Sequence, residues 1–357
     1  MNRLKVVVLY GGRSVEREVS RVSARTIARA LDPSKYEVVP LAVDEKGRFL
    51  SAPDSVRLLA EGPVPERFRR GETPGEALVP LAISPGRADV VFPIIHGTTG
   101  EDGTLQGFLD FLGIAYVGAG VAGSAVGMDK ALFKALLASA RIATPRSVLV
   151  RASEPRGRDR ELVSGLPLPL FVKPATGGSS VGVHKVKNLT ELDAAISDAL
   201  RYDDRALVEE GIDARELECA VLGDDEPRAS VPGEVVPGHE FYDYDDKYRD
   251  DKARLLIPAP VPDSVAEEVR RLAVEAFRLC GISGMARVDF FLERGTDRVL
   301  VNELNTLPGF TAISMYPKLW EASGLPLPAL LDELIALALS RKERRAGLSH
   351  KPPAELG

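Results

Sequence analysis

Asp289 and Glu303 stand where a β-hairpin would bring two carboxylates face to face. The stretch Met285 to Asn305 reads as two strands around a turn at Gly295-Thr296, which sets Asp289 opposite Glu303. Side chains alternate along a strand, so Arg287 shares a face with Asp289, and Asn305 shares one with Glu303. A slip of one residue would reverse those faces. A surface ladder of charged pairs is the plain reading of such a hairpin. Two facing acids repel unless a cation lies between them, so a metal is preferred. Hard oxygen donors with few other ligands suit Mg²⁺ shared with the phosphates of a substrate.

A second cluster is Lys173-Pro-Ala-Thr-Gly177-Gly178-Ser179-Ser180-Val-Gly182. A strand, a flexible turn and a strand make a hairpin rather than the strand-to-helix phosphate loop. Glycines let backbone N–H groups approach phosphate closely, and serines add hydroxyl donors. Lys173 ends the first strand within reach of a phosphate oxygen. Taken alone, the same hairpin is equally a simple turn. Lys130, in Gly-Met-Asp-Lys at a helix start, reads in isolation as a surface lysine. Gly118-Ala-Gly-Val-Ala-Gly123 matches a dinucleotide fingerprint, but the acid required about 20 residues later is missing. A glycine-rich domain junction is the better reading.

These residues need elements to hold them. Lys5–Tyr10, the amphipathic stretch to Ala30, and Tyr36–Val43 form a βαβ opening. Residues 51–80 read as exposed loops and short helices. Strands are expected over 88–95, 114–117, 170–173, 183–186 and 206–210, with helices over 130–141, 191–201 and 265–280. From Arg215 the pattern becomes β-rich, interrupted by a long polar loop from Pro237 to Arg254. His184 reads as an exposed strand-end histidine. The basic run from Arg341 reads as a frayed, solvated end. The expected class is α/β, with α+β character in the C-terminal half. The expected domains are residues 1–127, 128–214 and 215–345, with a tail at 346–357.

The 357 residues are 45% hydrophobic and 27% charged, an ordinary globular balance that argues against disorder. A formal charge of −6 lacks the footprint of a nucleic-acid binder. No apolar run approaches the ~20 residues of a membrane span. Two cysteines, Cys219 and Cys280, and four scattered histidines offer neither a disulfide framework nor a zinc cluster. That usage fits a reducing cytoplasm.

Taken together the motifs resemble the ATP-grasp D-alanine–D-alanine ligases along nearly the whole chain. The likeness rests on Gly-Gly-Arg-Ser-Val-Glu16, His96-Gly-Thr-Thr-Gly-Glu-Asp-Gly103, Met-Asp-Lys130, the Lys173 hairpin, Phe241-Tyr-Asp-Tyr-Asp-Asp-Lys247-Tyr248, and Asn302-Glu-Leu-Asn305 through Gly309. It implies an ATP-grasp fold of three domains, with ATP held between the last two. It further implies that Glu16 and His96 bind the first D-alanine, and that Ser314 and Met315 receive the carboxylate of the second. Lys130, Lys173 and Lys247, with Gly178, Ser179 and Ser180, would hold the phosphates. Glu209, Glu210, Ile212 and Glu216 match the adenine and ribose segment. Asp289, Glu303 and Asn305 would bind Mg²⁺, with Mn²⁺ as a substitute. Arg287 and the Gly309 N–H would face the developing oxyanion.

The implied chemistry is phosphorylation of one D-alanine carboxylate, then attack by the amine of the second. The polar loop would close as a lid, linking Glu16, Ser179 and Tyr248. Lys247-Tyr248 favours an amine nucleophile over D-lactate. Gly177-Gly178 departs from relatives that carry a bulkier residue there. A homodimer in the cytoplasm serving peptidoglycan precursor synthesis is also implied. The rival readings are a D-alanine–D-lactate ligase, a non-catalytic ATP binder on the same fold, and a dinucleotide oxidoreductase.

Overall fold

A computed structural model describes residues 3–61, 83, 86–154, 158–237 and 254–348. The first sheet holds β1 (Leu4–Gly11), β2 (Tyr36–Val43), β3 (Val90–Pro93) and β4 (Ala115–Tyr116), parallel, in the order β2-β1-β3-β4. Its helices are α1 (Arg17–Ala30), α2 (Ala52–Glu61), α3 (Thr104–Phe111) and α4 (Val121–Met128). The unbroken apolar run of β1 is what a parallel strand covered on both faces requires. Val6, Val8 and Tyr10 enter one core, and Val7 and Leu9 enter another.

α5 (Lys130–Ser139) leads into the second sheet. That sheet holds β5 (Ser147–Arg151), β6 (Leu170–Pro174), β7 (His184–Val186) and β8 (Arg205–Glu210), antiparallel, in the order β5-β8-β6-β7. α6 (Arg158–Val163) and α7 (Leu192–Ala199) accompany it. Leu170 and Val172 point into its core, so the alternate residues Phe171 and Lys173 face away from it, into a cleft.

The third sheet is antiparallel. It contains β9 (Ala214–Gly223), β10 (Arg228–Ala229), β11 (Gly233–Val236), β12 (Arg254–Leu256), β13 (Gly284–Glu293) and β14 (Val299–Asn305). The order is β12-β11-β9-β13-β14, with β10 on β9. Ala286, Val288, Phe290 and Leu292 of β13 pack in one core with Val269, Leu272, Ala273 and Phe277 of α8 (Asp263–Leu279). Arg287, Asp289 and Phe291 are thereby left on the opposite face.

Several elements depart from the sequence reading. The glycine-rich stretch after His96 contains α3, and the decoy Gly118–Gly123 runs from β4 into α4. Gly118 packs on the Gly284 backbone of β13 and Gly123 on Ile282 just before it, so these two glycines serve close contact with the start of that strand. β5 and the two last helices, α9 (Met315–Ala322) and α10 (Leu327–Ala346), had no counterpart in the reading. Trp320, Leu330, Leu331 and Leu334 from these helices share the core of Val6 and Val8. These two helices are thus packed against the first strand.

The frayed end expected from Arg341 is corrected by the same helix. Arg341 is inside α10, and its guanidinium lies 4.5 Å from the Tyr116 ring centroid. It donates to Tyr116 O at 2.6 Å, Ser283 Oγ at 2.6 Å and Gly118 O at 2.5 Å. Burial pushes its pKa down from the usual guanidinium value. His184 is half-buried at a strand end and bonds Asp198 at 2.8 Å. The loop over 238–253, with Lys247 and Tyr248, lies outside the described residues, as do most of 62–85 and the tail beyond 348.

Hydrogen bonds from a charged donor are worth about 1.5–3 kcal/mol each, and truncation strands their acceptors. Arg341→Met should therefore lower unfolding free energy by about 2–4 kcal/mol. Urea titration of native and variant chains measures this; an unchanged midpoint would show that the three acceptors do not depend on Arg341.

Candidate active site

Two cavities meet along the free face of the third sheet. The larger, about 870 Å³, lies between the second and third sheets; the smaller, about 160 Å³, is lined also by Glu16 and His96 from the first. The larger falls within the ~300–1,000 Å³ typical of small-molecule sites. Both are lined by Lys130, Ser179, Glu218, Arg287 and Glu303.

The wall they share is acidic. Asp289 on β13 is paired with Glu303 on β14 and, on its other side, with Glu218 on β9. Arg287 faces Asn305. The expected register is therefore observed, and a bulge follows it. The pairing shifts between Asp289 and Phe290, which leaves Asn302 as the extra residue of β14. Arg287 partly neutralises the row. Its Nε and Nη2 bond the two oxygens of Asp289 at 2.7 and 2.6 Å, and Nε lies 3.0 Å from Glu218 Oε2. Burial opposes its charge, but Asp289 and Glu218 outweigh that and raise its pKa well above the usual value.

The opposite wall carries lysines. Lys173 Nζ lies 2.5 Å from Glu209 Oε2, and Lys134 Nζ lies 2.8 Å from Glu209 Oε1. Burial alone would raise the Glu209 pKa; Lys173 and Lys134 reverse this and hold the carboxyl below its usual range. Ile212 and Glu216 line the same cavity. Glu210 lines it too, but both its carboxylate oxygens are engaged, by Arg146 N at 2.9 Å and Arg146 Nε at 2.8 Å.

The glycine hairpin closes the cleft from above. Asp129 caps α5 by accepting from Ala131 N and Leu132 N at 3.0 Å, which places Lys130 in its first turn. Lys130 Nζ then donates to Gly177 O at 2.6 Å. At Gly177 φ is 121°, a conformation that side chains resist. Ser179 and Ser180 adopt φ of 54° and 56°. Successive residues of this kind turn backbone N–H groups into a concave anion cradle. Ser179 Oγ is buried without a hydrogen-bond partner, as is Asn302 Oδ1, and both residues line the larger cavity.

In the smaller cavity Glu16 is the residue before α1, and its Oε2 lies 3.7 Å from the Cβ position of Gly178. Ser23 Oγ accepts from Phe310 N at 3.0 Å and draws the Gly309 loop against α1. A Cβ on Gly309 would stand 2.8 Å from Ser314 Oγ and would have to push that hydroxyl aside. Ser314 Oγ accepts from Thr311 N at 2.9 Å, and Met315 opens α9 beside it. His96 Nδ1 lies 3.9 Å from Glu101 Oε1, and Glu101 Oε2 accepts from Gly97 N at 2.5 Å.

All of the site residues that the family resemblance implies, except Lys247 and Tyr248, line one or both cavities. Three neighbours escaped that reading: Glu101, Lys134 and Glu218. Glu218 had a signal, because it follows Glu216 by two residues on a strand and must share its face. Lys134 follows Lys130 by four on a helix, which marks the same face.

Oxygen donors of Asp289, Glu303 and Asn305 on one face fit a small hard cation. Asn305 Oδ1 already accepts from Leu307 N at 3.0 Å, which orients it. Among the described residues no cluster of three or more His, Cys, Asp or Glu side chains has metal-binding geometry, so Asn305 or substrate oxygens would have to complete the shell.

Two antiparallel sheets facing each other across a cleft, with acids on one wall and lysines on the other, define an ATP-grasp enzyme. The comparisons narrow this. Residues 5–119 match the D-ala D-ala ligase N-terminus family and residues 136–336 the D-ala D-ala ligase C-terminus family. The chain is 47% identical over 343 residues to a D-alanine–D-alanine ligase of Solibacter usitatus, covering 96% of this chain and 98% of that one. It is 48% identical over 365 residues to D-alanine–D-alanine ligase A of Bradyrhizobium diazoefficiens, covering 97% and 98%. The D-alanine–D-alanine ligase structure from Coxiella burnetii superposes with a TM-score of 0.84 at 40% identity, covering 97% of each chain. VanG D-Ala:D-Ser ligase from Enterococcus faecalis gives 0.82 at 33%, covering 94% of this chain and 100% of that one. The chain belongs to the D-alanine–D-alanine ligase family.

Burial disfavours the His96 imidazolium, but the charge of the nearby Glu101 carboxylate, with Glu16 behind it, raises its pKa above 6.5. Burial raises Glu101 as well, so the pair keeps its proton to higher pH than a free histidine. A raised folded-state pKa stabilises fully below the unfolded value, and that gain is lost as pH rises through the folded value. NMR titration of the His96 ring should give a midpoint above 6.5, moving down in Glu101→Gln. A midpoint at or below 6.5 in the native chain would contradict the pairing.

Proposed function

We propose that the chain joins two D-alanines, using ATP, to give D-alanyl-D-alanine with release of ADP and phosphate. The observation that carries this reading is the continuity of the two cavities. A small polar pocket bearing an acid, a histidine and Arg287 opens onto a nucleotide-sized cleft at Lys130, Arg287 and Glu303. A carboxylate held in the first is thereby presented to a phosphoryl group held in the second.

Each residue's task follows from its chemistry. Glu16 binds the ammonium of the first D-alanine, with His96 beside it. Lys130, Lys173 and the backbone of Gly178, Ser179 and Ser180 bind phosphate oxygens and spread their charge as the γ-phosphoryl group passes to the D-alanine carboxylate. Glu209, Glu210, Ile212 and Glu216 line the adenosine end, where Glu210 contributes backbone, its carboxylate being held by Arg146. The second D-alanine docks its carboxylate at Ser314 and the N-terminus of α9, where backbone N–H groups favour an anion. Its amine attacks the acyl phosphate. Arg287 and Gly309 N–H stabilise the tetrahedral oxyanion, and phosphate leaves with the C–O bond electrons.

Asp289, Glu303 and Asn305 are the residues for Mg²⁺ or Mn²⁺, which when bound neutralises phosphate charge. Asp289 would then share its oxygens between that cation and Arg287, with Glu218 beside the guanidinium as Arg287 faces the oxyanion. Lys247 and Tyr248 belong to the closing lid in this reading, with Tyr248 linked to Glu16 and Ser179. Boundaries near residues 127 and 214, a homodimer and a cytoplasmic location serving cell-wall precursor synthesis complete it. Among the described residues no single helix is long and apolar enough to cross a membrane.

The test is ADP release with ATP, Mg²⁺ and one acceptor at a time. D-Alanine alone should support turnover and yield the dipeptide. L-Alanine should not, and D-alanine with D-serine or D-lactate should give at most a minor mixed product. A mixed product exceeding the D-alanine homodimer would overturn the assignment of the second substrate. Absence of any dipeptide would overturn the reaction.

A further inference from the structure

Lys134 is among the most buried lysines a chain can carry, with a side chain only 6% exposed. It lines neither cavity. Its ammonium lies 2.8 Å from Glu209 Oε1 and donates to Pro145 O at 3.3 Å. The other oxygen of Glu209 lies 2.5 Å from Lys173 Nζ, and Lys173 does line the larger cavity. Glu209 itself is 4% exposed at the side chain. The three groups form a chain of charge running from the protein interior to the cavity wall, with two cations to one anion.

Three features make this more than a packing detail. First, a lysine buried to this degree is costly unless its partner is strong, so a structural role alone would be met as well by an apolar residue. Second, each carboxylate oxygen of Glu209 lies within ion-pair distance of a different lysine, so the carboxylate is flanked by positive charge on both sides. Third, the surplus positive charge sits behind the wall where phosphate oxygens arrive. Glu209 would otherwise cancel the charge of Lys173 and repel phosphate. With Lys134 behind it, the triad is net positive toward the cleft.

We infer that Lys134 is a positioning residue of the nucleotide site, locking Glu209 from behind so that Lys173 is aimed into the cleft and the triad stays net positive. The inference rests on reading the larger cavity as the ATP site. It concerns a residue that touches no substrate and acts only through Glu209.

The test uses the full chain with Lys134→Met, which keeps length without charge, and Lys134→Gln, which keeps a hydrogen-bond donor without charge and guards against a folding failure in the first. Calorimetric titration with ADP and Mg²⁺ should show affinity at least about tenfold weaker in both variants, the size expected when one close charge is lost. In steady state KM for ATP should rise in parallel. KM for D-alanine should stay within about twofold, because no D-alanine contact is removed. In a Glu209→Gln background the further loss on adding Lys134→Gln should be much smaller, since the partner charge is already gone. Variants with lowered melting temperature but native ADP affinity would overturn the inference and leave Lys134 a packing residue. A fall in kcat with unchanged KM for ATP would overturn it too. If the native chain itself fails to bind ADP, the reading of the cavity fails instead, so the two failures are distinct.

Discussion

Three carboxylates stand side by side on adjacent strands, and the site is organised around neutralising them. Glu218, Asp289 and Glu303 occupy paired positions of β9, β13 and β14. Directly opposed side chains lie about 4.5–5.5 Å apart, where like charges destabilise a sheet. Arg287 sits within this row and bonds Asp289 and approaches Glu218. Arg287 offsets part of that charge. In the proposed reading a cation arriving with the nucleotide offsets more of it, and Lys130 and Lys173 across the cleft take the phosphates.

The sheet geometry makes that charge tolerable. β13 alternates strictly, so each polar residue on the cleft face is backed by Ala286, Val288, Phe290 and Leu292 in the core with α8. Burial of those apolar residues supplies the free energy that holds repelling groups together. The bulge after Asp289 ends the regular pairing where the acids lie, a position at which bulges re-aim side chains. On the opposite wall the hairpin of Ser179 and Ser180 holds left-handed backbone, anchored through Thr176, whose N–H and hydroxyl both bond Asp203. Strain there, about 1–2 kcal/mol per residue, is sustained by those anchors.

The chain was most legible where period and turn chemistry agree. The Asp289–Glu303 register followed from alternation and a Gly-Thr turn, and the glycine-rich hairpin from glycines after an apolar strand. The spacing from Lys130 marked the helix face of Lys134, but its burial was hidden because lysine on a helix ordinarily faces water, and its ion pair is with Glu209, 75 positions away. Arg341 was hidden for the same reason: a basic run at a chain end resembles a solvated tail, yet its acceptors lie on the first and third sheets. Such long-range electrostatic pairing leaves no local period. A net charge of −6 likewise gave no sign of the cationic cleft wall, since the sum averages over surface acids.

The acidic row is the account's central claim, and a metal ion reports on it directly. Anomalous diffraction from crystals grown with Mn²⁺ and ADP should place a peak about 2.0–2.3 Å from carboxylate oxygens of Asp289 and Glu303, with nucleotide phosphate oxygens completing the shell. A metal bound elsewhere, with Asp289 still holding Arg287 through both oxygens, would contradict the account.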